Sequence, residues 1–277
     1  MIIWLASYPK SGNTWIRLFL DSLFLTSHEF SINQNYIQQF PLRKHFEGIA
    51  ENINDQSEFA KKCKISQSKI NLDNKIKIFK THNALWNFNN GEYSFTDEDN
   101  TLGVIHVVRD PRNIVTSILN YFHKENYESA IEFMLTDKVL GGGDDASGLP
   151  TIVGSWINHY KSWKKFKKNY LLIKYEDLLE KPEREFFKIT NYLNDVGNYD
   201  FNKEKIIKSI QNCEFKNLSS QEDAHGFDGN SETNKKLNQK FFQLGPKNKW
   251  QEILKKDVRE KIESLFENEM REIGYIK

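Results

Sequence analysis

An eight-residue segment near the start of the chain has the residue types of an anion-binding loop. It reads Tyr8-Pro9-Lys10-Ser11-Gly12-Asn13-Thr14-Trp15 and directly follows the apolar run Ile2–Ala6. The spacing predicts a strand, a turn and then a helix N-terminus. A helix N-terminus favours the binding of a phosphate or sulfate through its free backbone N–H groups and its dipole. The Lys10 ammonium and the hydroxyls of Ser11 and Thr14 would add to this binding. A capped turn with a solvated lysine stays open as the simpler interpretation, and the lysine does not follow the Walker spacing.

Strand-like segments alternate with helical ones along the chain. The strand patterns lie at 2–7, 76–81, 104–108 and 170–175, and the helical patterns lie at 14–25, 111–123, 151–168 and 182–194. This alternation predicts an α/β fold with a central parallel sheet flanked by helices. Ligands of such sheets bind beyond the carboxyl ends of the strands. The side chains that these strand ends deliver to one edge are Lys10, Lys80, His82, Arg109 and Tyr175.

A histidine follows the second predicted strand, in Lys80-Thr81-His82. An imidazole at the shared sheet edge can act as a general base near neutral pH. A loop histidine bonded to the backbone is the alternative, and the neighbouring Lys80 favours the catalytic interpretation.

The segment from Val107 to Ser117 predicts a strand, an Asp110 cap and a helix with proline at its first position. The planar fork of Arg109 suits phosphate oxygens. A structural bridge between Arg109 and Asp110 or another carboxylate is the alternative. We expect Arg112 to be solvated.

In their order these segments resemble the sulfotransferases that use 3′-phosphoadenosine 5′-phosphosulfate (PAPS), of the cytosolic, small-molecule type. The resemblance extends through Leu171–Leu178 and nearly the whole chain. It implies that the loop around Lys10 holds the 5′-phosphosulfate, and that His82 accepts the proton of the acceptor. It also implies that Arg109 and Ser117 hold the 3′-phosphate, and that Tyr175 lies at the adenine.

The resemblance therefore implies two sets of site residues. The catalytic set is Lys10, Lys80, His82 and Ser117. The set that binds PAPS, or its product adenosine 3′,5′-bisphosphate (PAP), is Lys10, Ser11, Gly12, Asn13, Thr14, Trp15, Arg109, Ser117, Tyr175, Phe215, Gly245 and Lys247. No metal is expected.

One C-terminal segment departs from the family pattern. Where the family has two basic residues before a glycine, this chain has Gln243 and Leu244 before Gly245, and Asn248 replaces a second glycine. Lys247 or Lys249 could supply the missing charge. The residues after Trp250 do not match a family-type dimer motif, so the oligomeric state stays open.

Composition limits the possible partners and the compartment. The 277 residues include 39 basic and 38 acidic ones, so no global field recruits nucleic acid or an anionic membrane. The run Lys161–Lys168 predicts the solvated face of a helix. Cys63 and Cys213 lack metal-ligand spacing and indicate structural thiols in a reducing compartment. With a first strand at Ile2 and no membrane-spanning stretch, we expect a cytoplasmic protein. The length and the resemblance together predict one sulfotransferase domain over residues 1–277.

The sequence also predicts the secondary structure of three further segments. Residues 141–148 and 219–240 are polar and predict loops, either of which could cover the site. Residues 255–270 predict one amphipathic C-terminal helix.

The function implied is transfer of a sulfuryl group from PAPS to a hydroxyl or amine of a small-molecule acceptor. A nucleotide kinase and a non-catalytic module that binds PAP are the alternatives.

Overall fold

A computed structural model describes residues 1–26, 29–141 and 149–277, which contain eight strands. They are β1 Ile2–Ser7, β2 Lys77–Thr81, β3 Asn87–Phe88, β4 Tyr93–Ser94, β5 Thr101–Val108, β6 Val139–Leu140, β7 Thr151–Ile152 and β8 Tyr170–Lys174. The four long strands form the central sheet in the order β2-β1-β5-β8, and the short ones form two separate hairpins.

Helices surround the sheet and alternate with its strands. They are α1 Asn13–Phe24, α2 Gln56–Ile70, α3 Pro111–Tyr121, α4 Tyr127–Leu135, α5 Trp156–Lys164, α6 Tyr175–Glu180, α7 Pro182–Gly197, α8 Lys203–Asn212, α9 Phe215–His225, α10 Glu232–Lys236, α11 Trp250–Ile253, α12 Lys256–Leu265 and α13 Glu267–Ile273. Single 3-10 turns lie at 43–46, 71–73, 89–91 and 245–247.

All pairings in the central sheet are parallel, which confirms the predicted fold class. In register, Ala6 lies opposite Thr81, Ser7 lies opposite Val107, and Val108 lies opposite Lys174. The four strands therefore end at the same edge of the sheet. The residues that follow each strand meet there, as expected for ligand sites in parallel sheets.

Three predicted segments differ in organisation from the structure. The helix predicted for 151–168 begins only at Trp156, because Ser155 caps it and β7 precedes it. The predicted C-terminal helix is divided at Phe266, whose backbone leaves the helical region and separates α12 from α13. The predicted loop 219–240 contains the end of α9 and all of α10. In the predicted loop 141–148, residues 142–148 lie outside the described residues.

Apolar clusters cover both faces of the sheet. One joins the sheet to α1, α7 and α8, and another is built on aromatic rings around Trp4 and Phe40. Trp156 and Trp163 are buried core residues. Cys63 and Cys213 are buried free thiols. Within the described ranges, no helix has the length and apolar character needed to cross a membrane.

Candidate active site

The loop between β1 and α1 brings backbone N–H groups to the carboxyl edge of the sheet. Gly12, with φ 98°, precedes the helix, and Lys10 also has a positive φ of 68°. A side chain at Gly12 cannot fit, because an added Cβ would lie 2.3 Å from a carbon of the Tyr175 ring. No side chain of the described residues caps α1. The first N–H groups of the helix are therefore free to bind an anion.

Three buried polar atoms around this loop have no hydrogen-bond partner among the described residues. They are Ser11 Oγ, Asn13 Oδ1 and Arg109 Nε. Unpaired buried polar groups cost free energy, so the hydroxyl and the guanidinium N–H fit a ligand that brings an anion. Asn13 also has a structural role. Its Nδ2 donates to Leu5 O and to Ser7 Oγ, each at 3.1 Å, and ties α1 to β1.

Lys10 directs its ammonium away from solvent onto two aromatic rings. Its Nζ lies 3.5 Å from the centroid of the Tyr121 ring and 4.6 Å from that of Phe241. Burial, and then the nearby Arg109 guanidinium, lower the pKa of Lys10 to about 7. An anion bound beside Lys10 would favour its charged form.

Lys80 and His82 follow one another along β2 and its carboxyl end. Burial, and then Arg17, lower the pKa of Lys80 to about 8. Burial, and then the ammonium groups of Lys80 and Lys10, lower the pKa of His82 to about 4. His82 Nδ1 lies 2.8 Å from Ser7 O. Because a carbonyl oxygen only accepts, Nδ1 carries the proton of the neutral ring, and Nε2 is left as a proton acceptor.

Arg109 joins two of the strand-end loops. Its Nη1 donates to Lys10 O at 2.8 Å, and its guanidinium carbon lies 4.3 Å from the centroid of the Tyr175 ring. The carboxylate of Asp110 is bonded by Arg112 instead. The alternative of an Arg109–Asp110 bridge is therefore wrong, and an edge of the Arg109 guanidinium is available for a ligand.

The prediction that Arg112 is solvated is also wrong. Its side chain is 6% exposed and bonds the carboxylates of Asp110 and Glu263, at 2.6 and 2.5 Å. Its guanidinium carbon lies 3.9 Å from the centroid of the Trp250 ring. Arg112 therefore holds the helix after the Arg109 loop against the C-terminal part of the chain.

Glu176 fixes the same loop from the β8 side. Its Oε1 accepts the Asp110 N–H at 3.0 Å, and its Oε2 accepts the Tyr275 hydroxyl at 3.0 Å. The sequence interpretation assigned no role to Glu176. Its position directly after Tyr175 at the end of a strand was the available signal.

Aromatic rings form the end of the site at which the adenine was expected. Tyr175 begins α6, whereas the sequence predicted it to end β8. Its ring meets Trp15 edge-on, with centroids 5.9 Å apart, and Trp15 Nε1 donates to Cys213 O. Phe215 covers Gly245, where an added Cβ would lie 2.1 Å from the Phe215 ring.

Residues 241–248, which we call the cover, lie over the loop and α3. Glu222 accepts the N–H groups of Phe241 and Phe242, at 2.7 and 2.8 Å. Asn248 accepts the Thr116 hydroxyl at 2.6 Å and donates to Asn113 O at 3.2 Å. Asn248, which departs from the family pattern, thus attaches the cover to α3.

These elements enclose a cavity of about 470 Å³. Of the predicted site residues, those that line it are Lys10, Gly12, Asn13, Thr14, Trp15, Lys80, His82, Arg109, Ser117, Tyr175, Phe215 and Gly245. Ser11 is a buried residue of the loop outside the lining, and Lys247 is exposed outside the lining. Lys249 pairs with Glu252 at 3.3 Å.

Tyr121 and Phe241 are among the lining residues that the sequence interpretation did not assign to the site. Tyr121 lies four residues after Ser117 and therefore on the same helix face, which was a usable signal. The described residues contain no cluster of three or more His, Cys, Asp or Glu side chains that could hold a metal ion.

The fold and the site define an α/β protein in which an uncapped helix N-terminus, lysine and arginine side chains near the strand ends and a histidine surround one cavity. The family model of the sulfotransferase domain matches residues 2–274. The chain therefore belongs to the sulfotransferase domain family.

Several curated proteins are similar in sequence. Rabbit amine sulfotransferase is 20% identical over 282 residues, covering 98% of this chain and 81% of that protein. Dog sulfotransferase 1B1 is 24% identical over 222 residues, covering 76% of this chain. This match spans 64% of the dog protein, slightly under two thirds of its length.

Two solved structures share the fold. Mouse sulfotransferase SULT7A1, in complex with PAP, has a TM-score of 0.61 at 22% identity and covers 97% of this chain and 83% of its own. Retinol dehydratase, in complex with retinol and PAP, has a TM-score of 0.59 at 16% identity, with coverages of 97% and 81%.

Proposed function

We propose that the protein transfers the sulfuryl group of PAPS to a hydroxyl or amine of a small-molecule acceptor and releases PAP. The observation that carries this proposal is the set of Lys10, Lys80, Arg109 and a neutral His82 around one cavity at the N-terminus of α1. The family supports the reaction class. One sulfotransferase domain over residues 1–277 is part of the proposal.

The residues around the loop fit the donor. Free N–H groups of α1 and the unpaired hydroxyl of Ser11 suit the 5′-phosphosulfate. The unpaired edge of Arg109, with Ser117 on α3, suits the 3′-phosphate. Tyr175, Trp15 and Phe215 supply the apolar surface that a base requires. The exposed Lys247 contributes at most to the positive electrostatic potential around the site.

The chain's own residues handle the proton and the developing charge. When bound, PAPS supplies the sulfuryl group. His82 Nε2 accepts the proton of the acceptor as the acceptor's oxygen or nitrogen forms the new bond to sulfur. The bond from sulfur to the phosphate oxygen breaks, and the leaving oxygen keeps the electron pair. Lys10, with Lys80 and the loop N–H groups, stabilises that negative charge.

The acceptor class and the compartment belong to the same proposal. A rabbit relative is named an amine sulfotransferase, which supports testing amines beside alcohols and phenols. Buried free thiols at Cys63 and Cys213 suit the reducing cytoplasm.

Transfer of ³⁵S from labelled PAPS tests the proposal directly. The purified chain is incubated with a phenol, an aliphatic alcohol and a primary amine in separate panels, and the labelled product is separated from PAPS. We expect label in at least one class, and loss of that label in His82→Ala. Binding of PAP without any transfer would favour the non-catalytic module. Transfer of ³²P from ATP with Mg²⁺ instead would favour a kinase.

A further inference from the structure

The Lys10 ammonium lies between two aromatic rings from distant parts of the chain. Tyr121 ends α3 and Phe241 begins the cover, and their rings are nearly perpendicular, with centroids 5.9 Å apart. None of the ion pairs formed among residues 1–26, 29–141 and 149–277 includes Lys10. The attraction between a cation and the faces of these rings is therefore the main interaction holding the ammonium.

Both rings are fixed by contacts of their own. Phe241 packs against Phe227 and Phe242, with centroids 5.0 and 5.1 Å apart, and its N–H is bonded by Glu222. Tyr121 packs edge-on against Phe122 at 5.1 Å. Because neither ring depends on Lys10 for its position, the pair forms a preformed cage for the ammonium.

The cage lies at the reacting end of the cavity. Lys10 in this position is close enough to His82 to contribute to lowering the pKa of that histidine. Ser117 lies one helical turn before Tyr121 and lines the same cavity. The caged ammonium therefore belongs to the proposed donor loop and lies within electrostatic range of the proposed base.

We propose that Tyr121 and Phe241 are positioning residues that hold the Lys10 ammonium where the leaving phosphate oxygen develops its charge. This inference rests on the proposed function for the identity of that charge. A lysine side chain has many rotamers, and holding it in one of them costs conformational entropy. Contacts with the two rings offset this entropy cost before the reaction begins. The rings should therefore affect the rate of sulfuryl transfer more than the affinity for the donor.

Activity measurements separate this role from a merely structural one. Tyr121→Leu and Phe241→Leu should each lower kcat about tenfold, the size of a desolvated cation–ring contact, with a smaller change in the Kd of PAP. Tyr121→Phe keeps the ring and should restore most of kcat. In a Lys10→Met background, Tyr121→Leu should cause no further loss, because residues that act through one another are not additive. An undiminished loss in that background would overturn the proposal.

A second measurement needs neither donor nor acceptor. In protein labelled with ¹³C-lysine, the Hε protons of Lys10, assigned by their absence in Lys10→Arg, should resonate upfield because they lie over ring faces. Tyr121→Leu should remove most of this shift. Tyr93→Leu, which removes a ring 5.8 Å from Lys61 Nζ outside the cavity, should leave it unchanged. An Hε position like that of exposed lysines would overturn the cage. A shifted resonance in a protein without PAPS-dependent transfer would support the cage and refute the proposed function.

Discussion

The two walls of the cavity are held in different ways. The sheet wall carries His82 and Arg109 directly after two parallel strands, and Lys10 in the short loop after a third. Backbone register therefore positions these side chains. The cover is attached by side chains, mainly through Glu222 and Asn248.

The two kinds of attachment match two roles: the sheet wall carries the groups proposed to react, and the cover closes the cavity. A strand end cannot shift without breaking a ladder of backbone hydrogen bonds, which suits groups that must hold a reacting atom. A segment attached by a few side-chain bonds can change its sequence and still close the cavity, as Gln243, Leu244 and Asn248 illustrate. Substitutions in the sheet wall should therefore change rates, and substitutions that loosen the attachment of the cover should change affinity and stability. Phe241, whose ring contacts Lys10, is the exception in the cover.

The largest effect is expected from His82→Ala. Without the Nε2 acceptor, transfer to an alcohol should slow by about 10² to 10⁴, while the affinity for PAP stays close to that of the parent. The rate is measured with ³⁵S-PAPS and the affinity by calorimetry. Transfer at the parent rate would indicate another base or an amine that is already neutral.

Lys10→Met should lower kcat by a slightly smaller factor. Loss of one preorganised donor to a developing oxyanion costs ~3 kcal/mol, or about 10² in rate. Lys256→Met, an exposed lysine on α12, is the control and should retain full activity. Retained activity in Lys10→Met would remove Lys10 from the mechanism.

The pH dependence of kcat/KM tests two groups of the sheet wall, Lys10 and His82. The pKa of Lys10 is about 7 in the unliganded site, so kcat/KM for the donor should fall as pH rises above this value and the ammonium loses its proton. Lys10→Arg should move that fall to higher pH, because a guanidinium stays charged. His82 has a pKa of about 4 and remains a neutral base down to that value, so no acid-side fall is expected between pH 5 and 7. A profile that is unchanged in Lys10→Arg would assign the alkaline fall to another group.

The smallest effect is expected in the cover. Glu222→Gln replaces one of two acceptor oxygens with a donor facing a backbone N–H, so it should lower the free energy of unfolding by ~1–3 kcal/mol and weaken PAP binding. Chemical denaturation and calorimetry measure the two effects. Asp223→Asn is the matched control, since it removes only an exposed pair with Lys240. Equal effects of the two substitutions would mean that Glu222 does not hold the cover.

The predictable part of the molecule follows from local patterns. Apolar runs predicted the four central strands, and the Asp110 and Pro111 signals predicted the start of α3. Because parallel strands end at one edge, the meeting of Lys10, His82 and Arg109 followed from the same patterns.

The missed part depends on long-range side-chain partners. Arg112 was predicted to be solvated because Glu263, one of its two carboxylate partners, lies 151 residues away. The other partner, Asp110, is local in sequence, and the sequence analysis did not use it. The cage around Lys10 combines a residue of α3 with one of the cover, and no spacing in the sequence relates Tyr121 to Phe241. Tyr175 begins a helix directly at the strand end, where the apolar pattern of β8 gives no boundary.

The most direct test of the account is thermal unfolding of the chain with PAP, with ATP and Mg²⁺ as the competing ligand. At about a hundredfold over Kd, PAP should add ~2.7 kcal/mol of stability, which raises Tm by at least several degrees. Arg109→Met should reduce this shift. A shift with ATP and Mg²⁺ but none with PAP would contradict the proposed donor and favour a kinase.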